Sequence, residues 1–128
     1  MTSREYKRGD IIYVDFGNNE GSVQSGKRPA MIIGNDKGNY FSPVLIVAPI
    51  TSQPKKDIPT HLKINKGIDS GLSSDSIVLI EQPMTIDKKQ AGNIIGYHNI
   101  DKFTEIKILI TFGCLTFLGE KFRRFVCL

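Results

Sequence analysis

Two wholly apolar runs, Pro29 to Gly34 (PAMIIG) and Val44 to Thr51 (VLIVAPIT), stand on either side of the stretch NDKGNYFSP. Runs this short, rich in β-branched residues and bounded by glycine, proline and asparagine, are buried strands; helices run longer and carry a 3.6-residue period. The connection between them is turn chemistry, so a hairpin makes the two strands antiparallel neighbours. The start of the first then lies beside the end of the second, which brings Arg28 and Thr51 together.

Other short strands surround this pair. Asp10 to Phe16 (DIIYVDF) is β-rich, with Ile11, Tyr13 and Asp15 on one face. Leu62 to Ile64 and Ser76 to Gln82 follow, and Met84 to Lys89 is a last strand entering a short turn, so strands occupy about residues 10–90. From Asn99 the period changes. Phe103, Ile106, Ile110, Cys114 and Phe117 recur at helical spacing behind an N-cap at Asn99 or Asp101, which predicts a helix over about 101–118. Leu109, Leu115 and Leu118 flank that stripe. A helix so apolar must be covered, by the sheet or by a second subunit. Many short strands and one late helix point to a single domain, residues 1–128: a small half-open β-barrel or β-rich α+β fold.

The charge balance narrows the partners only slightly. A formal net charge of +4 is compatible with a polyanion, but the lysines are spread along the chain. Cys114 and Cys127, the only cysteines, supply neither a disulfide framework nor a metal cluster, so a reducing cytoplasm is expected. No apolar run approaches the roughly 20 residues of a membrane helix. Met1 to Asp10 carries no signal-like apolar segment.

The loop from Gly17 to Lys27 contains GSVQSGKR, close to the phosphate loop G-x-x-x-x-G-K-[ST]. That motif needs a helix behind its lysine, to supply amides and dipole, and a hydroxyl to hold Mg²⁺. Here Arg28, Pro29 and a β-run follow, so the nucleotide reading fails. What remains is a glycine-rich loop that delivers Arg28 at a strand mouth, on backbone stiffened by Pro29. An arginine held this way either meets a phosphate bidentately or pairs with a carboxylate at the strand end. With the Thr51 hydroxyl on the neighbouring strand it forms a compact oxyanion site that needs no histidine, Cys–His pair or carboxylate dyad.

KRGDIIYVDFG, GSVQSGKRPAMIIGND, SPVLIVAPITS, IPTHLKI and DSIVLIEQPMTIDKK follow one another in the order and spacing of the MazF/PemK toxins. The chain therefore resembles that family over about Lys7 to Lys89. The resemblance implies an α+β, β-rich fold: a small, partly open, SH3-like barrel of the CcdB/PemK type with a C-terminal helix, assembled as a homodimer. It also implies metal-independent cutting of single-stranded RNA at short sequences, by attack of the ribose 2′-OH on its own phosphate. The products are a 2′,3′-cyclic phosphate and a 5′-OH. No cofactor is implied, and the partner is a MazE/PemI-like antitoxin.

Carried over residue by residue, the catalytic arginine falls on Arg28 and the catalytic threonine on Thr51. Around them, Ser22, Gln24, Ser52 and Gln53 suit base edges of splayed single-stranded RNA, while Lys27, Lys55 and Lys56 suit its phosphates. Pro29, Glu81 and Gln82 are expected in support, Glu81 as a structural acid tying the barrel together. His61 falls on a strand residue away from the reaction centre, and His98 lies outside the matched blocks. Val23 stands where many relatives carry glutamate, which implies a different sequence preference. Two other readings stay open: a CcdB-like gyrase-binding toxin without nuclease activity, and a catalytically weakened MazF relative.

Overall fold

The computed structural model describes residues 5–17 and 26–115. Seven strands appear in it: β1 (Asp10–Asp15), β2 (Lys27–Ile32), β3 (Val44–Thr51), β4 (His61–Ile64), β5 (Ser76–Leu79), β6 (Met84–Asp87) and β7 (Ala91–Tyr97). Two helices join them, α1 (Asp36–Phe41) and α2 (Lys102–Leu115). All strand pairs are antiparallel, in the order β4-β5-β3-β2-β1-β7, with β6 paired to β3 off that path.

The two apolar runs become β2 and β3 at the centre of the sheet, antiparallel as expected, with Ala30 opposite Pro49 and Ile32 opposite Val47. Strand β3 divides its pairing. Val44 to Val47 face β6, while Ile50 and Thr51 face β5. Buried side chains from the sheet form two clusters. Ile11, Met31, Ile33, Ala48, Ile50, Val78 and Ile80 make one, with Ile108 of α2. Ile12, Val14, Ala30, Ile32, Leu45, Val47 and Ile86 make the other. Each aliphatic side chain so buried contributes roughly 1.5–3 kcal/mol relative to exposure. Strand β1 feeds both clusters by alternation, Ile11 facing the first and Ile12 and Val14 the second.

Three expectations need correction. The stretch NDKGNYFSP is not merely a turn: Asn35 caps α1, its side chain accepting the Gly38 N–H at 2.8 Å. Strands do not stop near residue 90, because Ala91–Tyr97 adds β7 to the edge of β1. Its sequence, AGNIIGY, hides the strand behind two glycines and an asparagine. In α2 the buried positions are Thr104 and Ile108, whereas Phe103, Ile106 and Leu109 are exposed, Phe103 by 72%. Among the described side chains of α2, the expected stripe positions Phe103 and Ile106 therefore lie exposed. Asp101 is the N-cap, accepting the Thr104 N–H at 2.7 Å, and that bond holds its carboxyl below the ordinary value. The expected helix end beyond Leu115 lies outside the described residues.

The sheet does not close into a barrel by strand pairing, because its terminal strands in the pairing order are β4 and β7. The segment after β4 bridges this seam. Asp69 accepts the Tyr97 N–H at 2.7 Å. Two glycines permit the approach: a Cβ at Gly71 would strike the Ile95 carbonyl, and one at Gly96 would strike the Asp69–Ser70 backbone. Gly71 also has φ +71°, in the left-handed region. No helix among the described residues is long and apolar enough to cross a membrane.

Candidate active site

Gly26, at φ +79°, ends the loop and turns the chain into β2. Its N–H donates to Gly17 and its carbonyl accepts from Phe16, so the loop base is pinned across to β1. From this pinned start the strand sets Lys27, Arg28 and Pro29 in order, with Arg28 opposite Val14 and Pro29 opposite Tyr13. These three residues line a cavity of about 540 Å³. Its other walls are Tyr13, Ile50, Ser52 and the serine-rich segment Gly71 to Ser74 with Ser76. Tyr13 is 51% exposed here, so the face that buries Ile11 opens onto the cavity two residues later.

Thr51 takes a different position. Paired backbone between β2 and β3 ends at Ala30 opposite Pro49; continued in the same register, Arg28 falls level with Thr51. Yet Thr51 is only 2% exposed and does not line the cavity, which its neighbours Ile50 and Ser52 do. Its Oγ1 accepts the Gln53 N–H at 3.2 Å. The hydroxyl thus braces the corner that presents Ser52, and its own proton is not used in that bond.

The remaining expected residues are more scattered. Gln53 lies with Ser52 in an adjoining hollow, and Lys55 and Lys56 are exposed beyond it. Ser22, Gln24 and Val23 lie outside the described residues. Glu81 and Gln82 do not line the Arg28 cavity. Glu81 instead meets His61 on β4, Oε2 to Nε2 at 2.8 Å, while His61 Nδ1 faces the Lys56 carbonyl at 2.9 Å. The pair ties β4 to the chain just after β5, which is a structural acid's work. His98 lies at the seam, and burial lowers its pKa from the ordinary 6.5 despite the opposing field of Asp101. Among the described residues no group of three His, Cys, Asp or Glu side chains could hold a metal ion.

Sequence reading missed Tyr13 as a cavity residue and the Gly71–Ser76 wall. Alternation places Tyr13 on one face with Ile11 and says nothing of a cavity. The serine-rich wall carries no motif, and only the fold of the segment after β4 brings it near β2.

The sequence that builds this sheet and cavity matches a known protein family. The family described as PemK-like, MazF-like toxin of type II toxin-antitoxin system matches residues 7–111. The chain belongs to this family. The MazF endoribonuclease of Staphylococcus saprophyticus subsp. saprophyticus is 40% identical over 118 residues, covering 90% of this chain and 98% of that protein. A crystal structure of MazF from Deinococcus radiodurans superposes with a TM-score of 0.66 at 17% identity, covering 88% of this chain and 97% of that one. An endoribonuclease from a mycobacterial species, solved with its cognate antitoxin, gives 0.63 at 21% identity, covering 86% and 93%. At those identities the structures establish the MazF-type fold, and the α+β, β-rich expectation with it. The MazF-type sheet here is the seven-stranded open one described above, with its terminal helix.

Proposed function

We propose that this toxin, an endoribonuclease of the MazF type, cuts single-stranded RNA in the cavity at the start of β2. The observation that carries the reading is the convergence of Arg28 and Lys27 with the hydroxyl-bearing Tyr13, Ser52, Ser74 and Ser76 on one hollow. A pocket whose described lining carries two cations and no carboxylate suits a phosphodiester, and hydroxyls suit the edges of unstacked bases.

The reaction joins O2′ to phosphorus and breaks the bond from phosphorus to O5′. The 2′ proton passes to solvent and the leaving O5′ takes one up, departing as a 5′-OH beside a 2′,3′-cyclic phosphate. Charge builds on the phosphoryl oxygens, so a rigid guanidinium stabilises the transition state more than the ground state. Arg28 supplies it. Thr51, level with Arg28 but beneath the surface, supports the site from behind by holding the turn that keeps Ser52 in place. The reaction needs no metal. The single domain, residues 1–128, works as a homodimer that covers Phe103, Ile106 and Leu109 of α2, resides in the cytoplasm, and is silenced by a cognate MazE/PemI-like antitoxin.

The test incubates purified protein with a long single-stranded RNA in EDTA and sequences the 5′ ends. Cleavage should recur at one short motif, fall roughly 10²–10³-fold in Arg28→Ala, and fall about tenfold in Thr51→Ala. Intact RNA, or cleavage untouched by both changes, sinks the reading.

A further inference from the structure

The Arg28 cavity is one end of a longer groove. Ser52 and Ser76, which line it, also line a hollow of about 320 Å³ with Gln53, Lys63, Asn65 and Asp75. Lys63 and Asn65 in turn line a third hollow, about 820 Å³, that reaches Lys66, Tyr97 and His98. Shared walls join the three into a path from β2 across the β4–β5 edge to the open seam of the sheet.

The far basin is built, not a chance dent. Its wall is the segment clamped on β7 through Gly71 and Gly96, held by Asp69 accepting from Tyr97 N and by Ser70 Oγ donating to the Asn65 carbonyl at 2.9 Å. The path carries Lys27, Arg28, Lys63 and Lys66 against Asp69 and Asp75. Asp75 is engaged, accepting the Lys66 N–H at 2.9 Å. His98 is neutral near pH 7, its pKa lowered by burial, and adds no charge. Among the described residues Lys63 meets Asp57 at 3.9 Å, both highly exposed, a contact that phosphate can replace. Tyr97 lines the basin and is 52% exposed. A row of cations ending in an exposed aromatic ring is the chemistry of single-stranded nucleic acid: phosphates on the cations, a base on the ring.

We propose that the RNA strand cleaved at Arg28 continues along this groove, with Lys63 and Lys66 on its backbone and Tyr97 stacked on a base several nucleotides from the cut. The proposal rests on the reading of the Arg28 cavity as the cleaving centre, and it makes the far basin a determinant of affinity and context rather than of chemistry.

The test uses the full chain and a fluorescently labelled single-stranded RNA transcript fragment. Binding is followed by anisotropy across salt concentration, and cleavage kinetics by gel. In Lys63→Ala/Lys66→Ala, affinity should fall about tenfold and the log–log salt slope flatten by roughly 1.4, about 0.7 per lost phosphate. KM should rise in parallel with kcat within about twofold. Tyr97→Ala should weaken binding on the order of tenfold and Tyr97→Phe should restore it, since stacking needs the ring and not the hydroxyl. Unchanged affinity and salt slope in both sets overturn the groove, as would happen if a second copy of the chain covers it. That result leaves catalysis standing if Arg28→Ala still abolishes cleavage. Cleavage that survives Arg28→Ala removes the catalytic reading instead, and the groove is then judged on affinity alone.

Discussion

The wall around Arg28 and the seam at Tyr97 are built by different means. The wall sits on β2 and β3, central strands whose apolar side chains fix register, so Arg28 is placed by packing. The seam joins the two outer strands β4 and β7, and it closes only because two glycines let backbone touch backbone. Side-chain burial holds the wall; absence of side chains holds the seam. Substitutions should therefore damage chemistry at the first and stability at the second.

Gly96→Ala should show this most strongly. Its methyl meets fixed backbone at Asp69 and Ser70, and the expected loss is about 3 kcal/mol, read by urea denaturation. Gly26→Ala, two residues before Arg28, brings its new methyl within 4 Å of no described atom and has its φ of +79° against it, so about 1 kcal/mol is expected. A larger loss at Gly26 than at Gly96 would break the comparison.

A smaller effect comes from the polar tie on β4. His61→Ala strips Glu81 of its partner at 2.8 Å, and Glu81 Oε1 is already buried without one. The expected cost is about 1–2 kcal/mol, with RNA-cleaving kcat within twofold. A collapse of kcat with stability intact would move His61 from structure to catalysis.

The smallest effect is a pH limb at the seam. Because burial lowers the His98 pKa below 6.5, the unfolded chain takes up its proton first as acid is added. The contribution is complete above about pH 6.5 and is lost as pH falls through that value toward the lowered one. Thermal melts from pH 7.5 to 5 should decline less steeply in His98→Gln than in the parent. Identical slopes would remove His98 from the acid limb.

The wall was legible in the sequence because burial leaves a pattern. PAMIIG and VLIVAPIT could hardly be anything but adjacent strands, and their register carries Arg28 and Thr51 to one level. The depth of Thr51 was not legible, since alternation does not tell a cavity-lining position from one behind the lining. On α2, periodicity located the helix at Asp101 but chose Phe103 and Ile106 as its stripe, whereas the sheet takes Thr104 and Ile108. The seam left almost no trace. AGNIIGY has too many glycines to read as a strand, and those glycines answer to a contact with Asp69–Ser70, far off in sequence, which no local pattern records.

Strand β3 trades β6 for β5 between Val47 and Ile50, and Pro49 stands in that interval. Proline is ordinarily unwelcome in an inner strand because it has no amide to pair. At a changeover between partners it serves as a joint, since the strand can bend there with no donor of its own left orphaned. The half carrying Ile50 and Thr51 thus passes to β5 beside the pocket while the α1 end keeps its ladder to β6, and Pro49 itself stays in register opposite Ala30 of β2.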